Sequence, residues 1–149
     1  MQAPTVLALD LEGTLISNVV SQFPRPGLFE FLTRCKEIFP RIVMFTTVPE
    51  DRFRKVATLL AGEGKAPIWF AELEYVHWTG QTKNLAYIAG AEEKDVLLVD
   101  DFPAYMHEGQ ESQFVLVEHF DFPYCQSETG LTKVLKILEQ RVEKRTTRQ

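Results

Sequence analysis

The sequence predicts an α/β domain of three layers, with a mostly parallel five-stranded sheet between helices. Two patterns carry that reading. Short apolar runs alternate with amphipathic stretches along the whole chain, and TVLALD, RIVMFTT and DVLLVDD are apolar on both faces, as strands in the middle of a parallel sheet are. A third pattern bears on function: these same runs end in acids or hydroxyls.

The first strand is read as Thr5 to Asp10. SQFPRPG then brings two prolines and a glycine ahead of GLFEFLTRCKEIF, where Leu28, Phe31, Leu32, Cys35 and Phe39 recur at helical spacing. That helix is expected to begin near Pro26 and to end at Pro40, followed by RIVMFTT as the second strand. In PEDRFRKVATLLAGEG, acids occupy the first turn, Phe53, Val56, Ala57 and Leu60 share a face, and Gly62 and Gly64 stop the helix. APIWFAELEYV is expected to be an irregular third strand, bracketed by Trp69 and Trp78, for which core packing is favoured over a role at the crevice mouth. TKNLAYIAG reads as a short helix, DVLLVDD as the fourth strand, QFVLVEHF as the fifth and ETGLTKVLKILEQRVEK as a closing amphipathic helix. Residues 142–149 are read as a frayed basic tail of a single domain spanning 1–149.

Composition narrows the function classes. With 45% hydrophobic and 25% charged residues in 149, the chain balances as one globular domain. A net charge of −5 supplies no broad basic field, which argues against nucleic acid or an anionic membrane as partner. Cys35 and Cys125 make no disulfide framework, and no Cys/His spacing suggests zinc, so a reducing compartment is the simpler expectation. MQAPTVLALDLEG has no basic region ahead of its apolar run and is not read as a signal peptide; the expected location is cytoplasmic. The oligomeric state is not legible in these residues.

In parallel α/β sheets, reactive groups gather beyond the carboxyl ends of the strands. There this chain places Asp10, with Glu12 two residues on, Thr46 and Thr47, and Asp100 and Asp101. Any one of them could simply cap a turn. Clustered carboxylates, however, repel unless protons or a cation compensate, and Mg²⁺ is the hard divalent ion that oxygen ligands favour. Mg²⁺ beside a spare carboxylate and a hydroxyl suits phosphoryl transfer.

The motifs themselves resemble a known family. Asp10-Leu11-Glu12-Gly13-Thr14-Leu15 is similar to the first motif of haloacid dehalogenase-like (HAD) phosphatases. PRPGLFEFL, RIVMFTT, TKNLAYI, DVLLVDDFPAY and HFDFPYCQSETGLTKVLKIL resemble, in order, later segments of the NIF-like branch, which includes the RNA polymerase C-terminal-domain phosphatases. The likeness runs from about Thr5 to Arg141 and implies a HAD-like (Rossmann-like) domain. It further implies that Asp10 is the nucleophile, forming an aspartyl-phosphate, and that Glu12 is the acid/base with its backbone carbonyl toward Mg²⁺. By the same resemblance Thr46 contacts the phosphoryl oxygens, with Thr47 as the alternative. Lys83 balances charge, and Asp101, supported by Asp100, ligates the metal. One departure stands out: the family nearly always has Asp where this chain has Glu12, and the extra methylene moves the acid by roughly an ångström, a displacement that can cost on the order of 100-fold in rate.

ALDLEGTL is also similar to the first motif of DEDD exonucleases, which Glu12 fits better, but those enzymes continue into an antiparallel meander and need a late Tyr or His just before a final Asp. The third class is a HAD-fold binding module that has lost activity, for which Glu12 is the only support. His77, His107 and His119 are isolated and read as structural or exposed. The stretches Thr14 to Arg41 and Thr46 to Lys83 are too short to hold a folded cap domain, so the crevice is expected to be open. An open crevice suits a phosphorylated protein, while small phosphomonoesters can also enter. The resemblance favours phosphoserine or phosphothreonine, and the short Ala66 to Gly80 segment argues against polymerase-tail recognition.

Overall fold

The computed structural model describes residues 3–146. Five strands form one sheet: β1 (Val6–Leu9), β2 (Arg41–Met44), β3 (Glu74–Tyr75), β4 (Val96–Asp100) and β5 (Phe114–Leu116), in the order β3-β2-β1-β4-β5. Every pairing is parallel. That excludes the antiparallel meander of the exonuclease reading.

Strand alternation divides the core in two. Leu7, Leu9, Ile42, Met44, Leu97 and Val99 face one side, where α1 (Leu28–Ile38), α2 (Glu50–Gly62) and α3 (Gly130–Thr146) cover them with Phe31, Phe53, Leu131 and their neighbours. Val6, Ala8, Val43, Phe45, Val96 and Leu98 face the other side. Here the expected helix over TKNLAYIAG is only a single 3₁₀ turn, Leu85–Tyr87. The Asn84 side chain accepts from Ala86 N–H, which caps the turn, and Gly90 at φ 74° ends the segment. This layer is therefore thin, with Leu85, Ile88, Val76 and Trp78 doing the covering.

The third strand is also shorter than expected. Ile68–Glu72 coils into a 3₁₀ helix, seating Phe70 edge-on to Phe53 of α2 at 5.5 Å. Arg54 Nη1 donates to the carbonyls of Ala71 and Leu73, satisfying acceptors that a longer strand would have offered to β2. Only Glu74–Tyr75 remains as edge strand, pinned by the Arg41–Glu74 ion pair.

The amphipathic readings of α1 and α2 hold: Leu28, Phe31, Leu32 and Cys35, and Phe53, Val56, Ala57 and Leu60, are buried. α1 starts at Leu28, two residues after Pro26, because Gly27 turns the chain at φ 82°. The closing helix continues through Thr146, into the stretch read as tail, while residues 147–149 lie outside the described residues. Among the described residues no helix is long and apolar enough to cross a membrane, and no inserted cap domain stands over the sheet.

Candidate active site

Sheet register builds the site. Leu9 is paired with both Met44 and Val99, so the next residues, Asp10, Phe45 and Asp100, emerge side by side at the carboxyl end of the sheet. Asp10 N–H still donates to Val99 O (3.0 Å), and Phe45 N–H to Leu9 O (2.8 Å), which fixes their height. Lys83 arrives from the opposite layer, its N–H bonded to Tyr105 O at 2.7 Å.

The side chains close a compact network. Lys83 Nζ donates to Asp10 Oδ1 (2.9 Å) and Asp100 Oδ2 (2.5 Å), with no side-chain surface exposed. The Thr14 hydroxyl sits between Asp10 Oδ2 (2.9 Å) and Asp101 Oδ1 (3.0 Å) and, having one proton, donates to one of them at a time. Asp100 Oδ1 accepts from Phe102 N–H at 3.0 Å, and Asp101 Oδ2 meets His119 Nδ1 at 2.6 Å. The Tyr105 and Phe45 rings lie 4.8 and 5.8 Å from Lys83 Nζ, so the ammonium is walled by aromatic faces.

Burial pushes the Asp10 carboxyl well above the usual range, and Asp100's charge adds to this against the pull of Lys83. Asp100 is likewise raised by burial, which outweighs Lys83. Burial would lower Lys83, but Asp10 and Asp100 outweigh it and hold the ammonium charged. Burial would also raise Asp101, yet hydrogen bonds from Asp10, His119 and Thr14 hold it below its usual value.

One oxygen from each of Asp10, Asp100 and Asp101 lies within 4.8 Å of the others. Three carboxylates against one buried ammonium leave two negative charges. That deficit, in a set of hard oxygen donors, fits a divalent cation such as Mg²⁺.

Glu12 stands apart from this cluster. Its Oε2 accepts from Val19 N–H at 2.7 Å, because the added methylene carries the carboxylate across the turn onto the following loop. Thr46 is buried, its Oγ1 accepting from Val48 N–H (3.1 Å) and its carbonyl from Trp78 Nε1 (2.8 Å). Thr47 beside it is exposed. The structure thus gathers Asp10, Lys83, Asp100 and Asp101, sets Thr46 at the neighbouring strand end, and holds the Glu12 carboxylate on Val19 N–H. Trp69 packs against the core as expected, whereas Trp78 also lines the crevice.

Sequence reasoning passed over three contributors besides Thr14, whose place in the first motif was visible. Arg25, in the PRPG approach to α1, is fully buried; its Nη1 donates to Gly13 O (3.3 Å) and Thr14 O (3.2 Å). Glu128 holds that guanidinium from the other side at 3.0 and 2.6 Å. The loop that presents Asp10 and Thr14 therefore rests on a bidentate pair 103 residues apart in sequence. His119, set aside as isolated, lies two residues beyond Val117, whose N–H bonds Asp100 O (3.1 Å); that continuation of β5 brings it to Asp101.

A variant of the fission yeast RNA polymerase II CTD phosphatase Fcp1 bound to beryllium fluoride superposes with TM-score 0.58 at 14% identity, covering 98% of this chain and 52% of that one. A second structure of Fcp1, an essential RNA polymerase II CTD phosphatase, gives TM-score 0.59 at 14% identity, covering 97% and 51%. The chain thus spans about half the length of these structures, and at this identity they show a shared fold. A search of the curated proteins finds no significant match. Residues 5–148 match the family described as NLI interacting factor-like phosphatase, and the chain belongs to that family.

Proposed function

We propose that this protein is a Mg²⁺-dependent phosphatase that hydrolyses phosphomonoesters through an aspartyl-phosphate on Asp10. The observation that carries the reading is the setting of Asp10: it is buried at a strand end, held on one oxygen by Lys83 and on the other side by Thr14, and flanked by two further acids. A structural carboxylate needs one such partner. A nucleophile that must accept a dianionic phosphoryl group needs its own charge and the incoming charge balanced in place.

In the forward step an Asp10 carboxylate oxygen bonds to phosphorus as the ester oxygen leaves, and a water then cleaves the acyl phosphate to restore Asp10. Lys83 stays charged throughout and offsets the phosphoryl oxygens. Thr14 bonds Asp10 and would fix its rotamer, and Thr46 or Thr47 would bind a phosphoryl oxygen. Glu12 occupies the acid/base position. Its Oε2 is held by Val19 N–H, and the carboxyl group would protonate the leaving oxygen and then take the proton of water. Asp10, Asp101 and Asp100, with the Glu12 backbone carbonyl, would hold Mg²⁺, which when bound neutralises charge and polarises the phosphoryl group.

Without a cap domain, only the site's own loops enclose the acids, which supports a phosphoprotein or another large phosphomonoester as substrate. The free thiols of Cys35 and Cys125 support a reducing, cytoplasmic setting. The test is hydrolysis of a generic aryl phosphate by purified protein with Mg²⁺ and with chelator, beside Asp10→Asn. Metal-dependent turnover lost in Asp10→Asn is expected. No turnover with the fold intact would leave a phospho-ligand binding module, with Glu12 as the lesion.

A further inference from the structure

Beside the strand end that carries Thr46 lies a cleft of about 480 Å³, within the range of small-ligand sites. Its lining includes four rings, Tyr75, His77, Trp78 and Tyr87, together with Thr46 and Thr47. Among the described residues, no Lys, Arg, Asp or Glu lines it. These rings are held in place. The Tyr75 hydroxyl donates to Val48 O, Trp78 Nε1 to Thr46 O, and the Tyr87 hydroxyl lies 3.3 Å from Thr79 Oγ1. Trp78 also stands edge-on to Phe45 (5.5 Å) and Tyr105 (6.1 Å), the two rings that wall Lys83, so the cleft and the nucleophile's cation share one aromatic frame.

Resting on the phosphatase reading above, we propose that this cleft seats the ring of an aryl phosphomonoester, making a phosphotyrosine side chain the preferred substrate of the site. A planar ring entering with its phosphoryl group toward Thr46 would meet offset or edge-on partners on several sides, the arrangement aromatic pairs favour. A phosphoserine side chain carries no ring to meet those walls.

The second observation is chemical and independent of the cleft. Glu12, the residue in the acid position, is committed to Val19 N–H. Protonation of the leaving oxygen is then the poorly served part of the first step. A tyrosine phenolate leaves with a conjugate-acid pKa of about 10, whereas a serine alkoxide is far more basic, close to hydroxide. The aryl ester tolerates a distant acid and the alkyl ester does not. Both steps balance as before: the Asp10–phosphorus bond forms as the phosphorus–phenolate oxygen bond breaks, and water returns phosphate and free Asp10.

The experiment compares kcat/KM on two peptides of one sequence, carrying phosphotyrosine or phosphoserine, and on free phosphotyrosine, for wild type, Tyr87→Ala and His77→Ala. Both substituted side chains are on the rim, and His77 is 76% exposed, so folding is not at stake. The wild type should favour phosphotyrosine at least tenfold, and Tyr87→Ala should lower that preference roughly fivefold to tenfold, the scale of one aromatic pair. Intrinsic reactivity of the aryl ester alone would leave the preference intact in both variants, which overturns the proposal. Equal rates on both peptides in wild type also overturn it while leaving the phosphatase reading standing; no turnover on any of them removes that reading itself. Free phosphotyrosine cleaved as well as the peptide supports a cleft that reads the ring alone, and a peptide advantage supports one that reads the ring within a chain.

Discussion

Lys83→Met isolates the buried cation, and its consequence can be worked from the geometry. Methionine matches the lysine stem in length but leaves Asp10 and Asp100 facing each other, with Asp101 nearby, without the ammonium now 2.9 and 2.5 Å from them. Removing one partner of a buried ion pair typically costs about 3–5 kcal/mol, because an uncompensated charge stays in low dielectric. For a chain of this size that is a fall in Tm of about 10 °C in the presence of chelator. The loss is bounded by protonation. Burial already raises Asp10 and Asp100, and without Lys83 both rise further. A carboxyl whose folded pKa lies above its unfolded value is destabilising once pH passes the unfolded pKa, so the variant should lose stability steadily from about pH 4 upward and compare best with wild type in acid. Mg²⁺ should narrow the gap, since a ligand at about a hundred times its Kd returns about 2.7 kcal/mol and the variant offers the ion one more unbalanced charge. The assay is thermal unfolding followed by circular dichroism, at several pH values, in EDTA and in Mg²⁺. A variant that melts within about 2 °C of wild type in EDTA at neutral pH, or whose gap Mg²⁺ does not narrow, would refute the argument that these acids require a compensating cation.

Three more outcomes follow from single contacts. Gly13→Ala places a Cβ in a backbone at φ 76°, about 2.5 Å from His119 Nδ1, so it should cost roughly 1–2 kcal/mol in strain, break the His119–Asp101 bond, and weaken Mg²⁺ binding in a calorimetric titration. Glu128→Gln tests the clamp under the loop that carries Gly13 and Thr14: burial would raise the Glu128 carboxyl, but Arg25 outweighs it and holds it below its usual value. Its contribution is therefore present above about pH 4.3 and lost as pH falls through the lower folded value, so the urea midpoint of wild type should drop more steeply in that window than the variant's. Glu12→Asp cannot span to Val19 N–H and returns the acid to the length usual in the family; turnover of a phosphoserine peptide should rise on the order of tenfold or more, with a smaller gain on phosphotyrosine, measured as kcat.

The parts of the fold legible in the sequence were those dictated by local periodicity. Leu28, Phe31, Leu32 and Cys35 declare α1 because one buried face suffices to specify a helix, and the doubly apolar VLAL and VLLVD declare central parallel strands. APIWFAELEYV was misread because its apolar residues suit a strand, while the deciding force is tertiary: Phe70 packs on α2 and Arg54 takes its carbonyls. TKNLAYIAG has helical composition but no length, and Asn84 diverts its backbone into a cap. In the site, Asp10, Lys83, Asp100 and Asp101 were found by motif order, and the register explains why they meet. Arg25, Glu128 and His119 were not legible, since each acquires its role from a partner on a distant segment. The direction of Glu12 is the same kind of fact: the residue was visible, but its bond to Val19 was not.

The central claim is that Asp10 carries the phosphoryl group between two half-reactions. Mixing the protein with a radiolabelled aryl phosphate and Mg²⁺, quenching in acid within the first turnover, and mapping the label by peptide mass spectrometry tests it most directly. The account predicts label on the peptide containing Asp10, absent in Asp10→Asn and released by hydroxylamine as an acyl phosphate is. Turnover with no label on that peptide, or label that persists in Asp10→Asn, would contradict it.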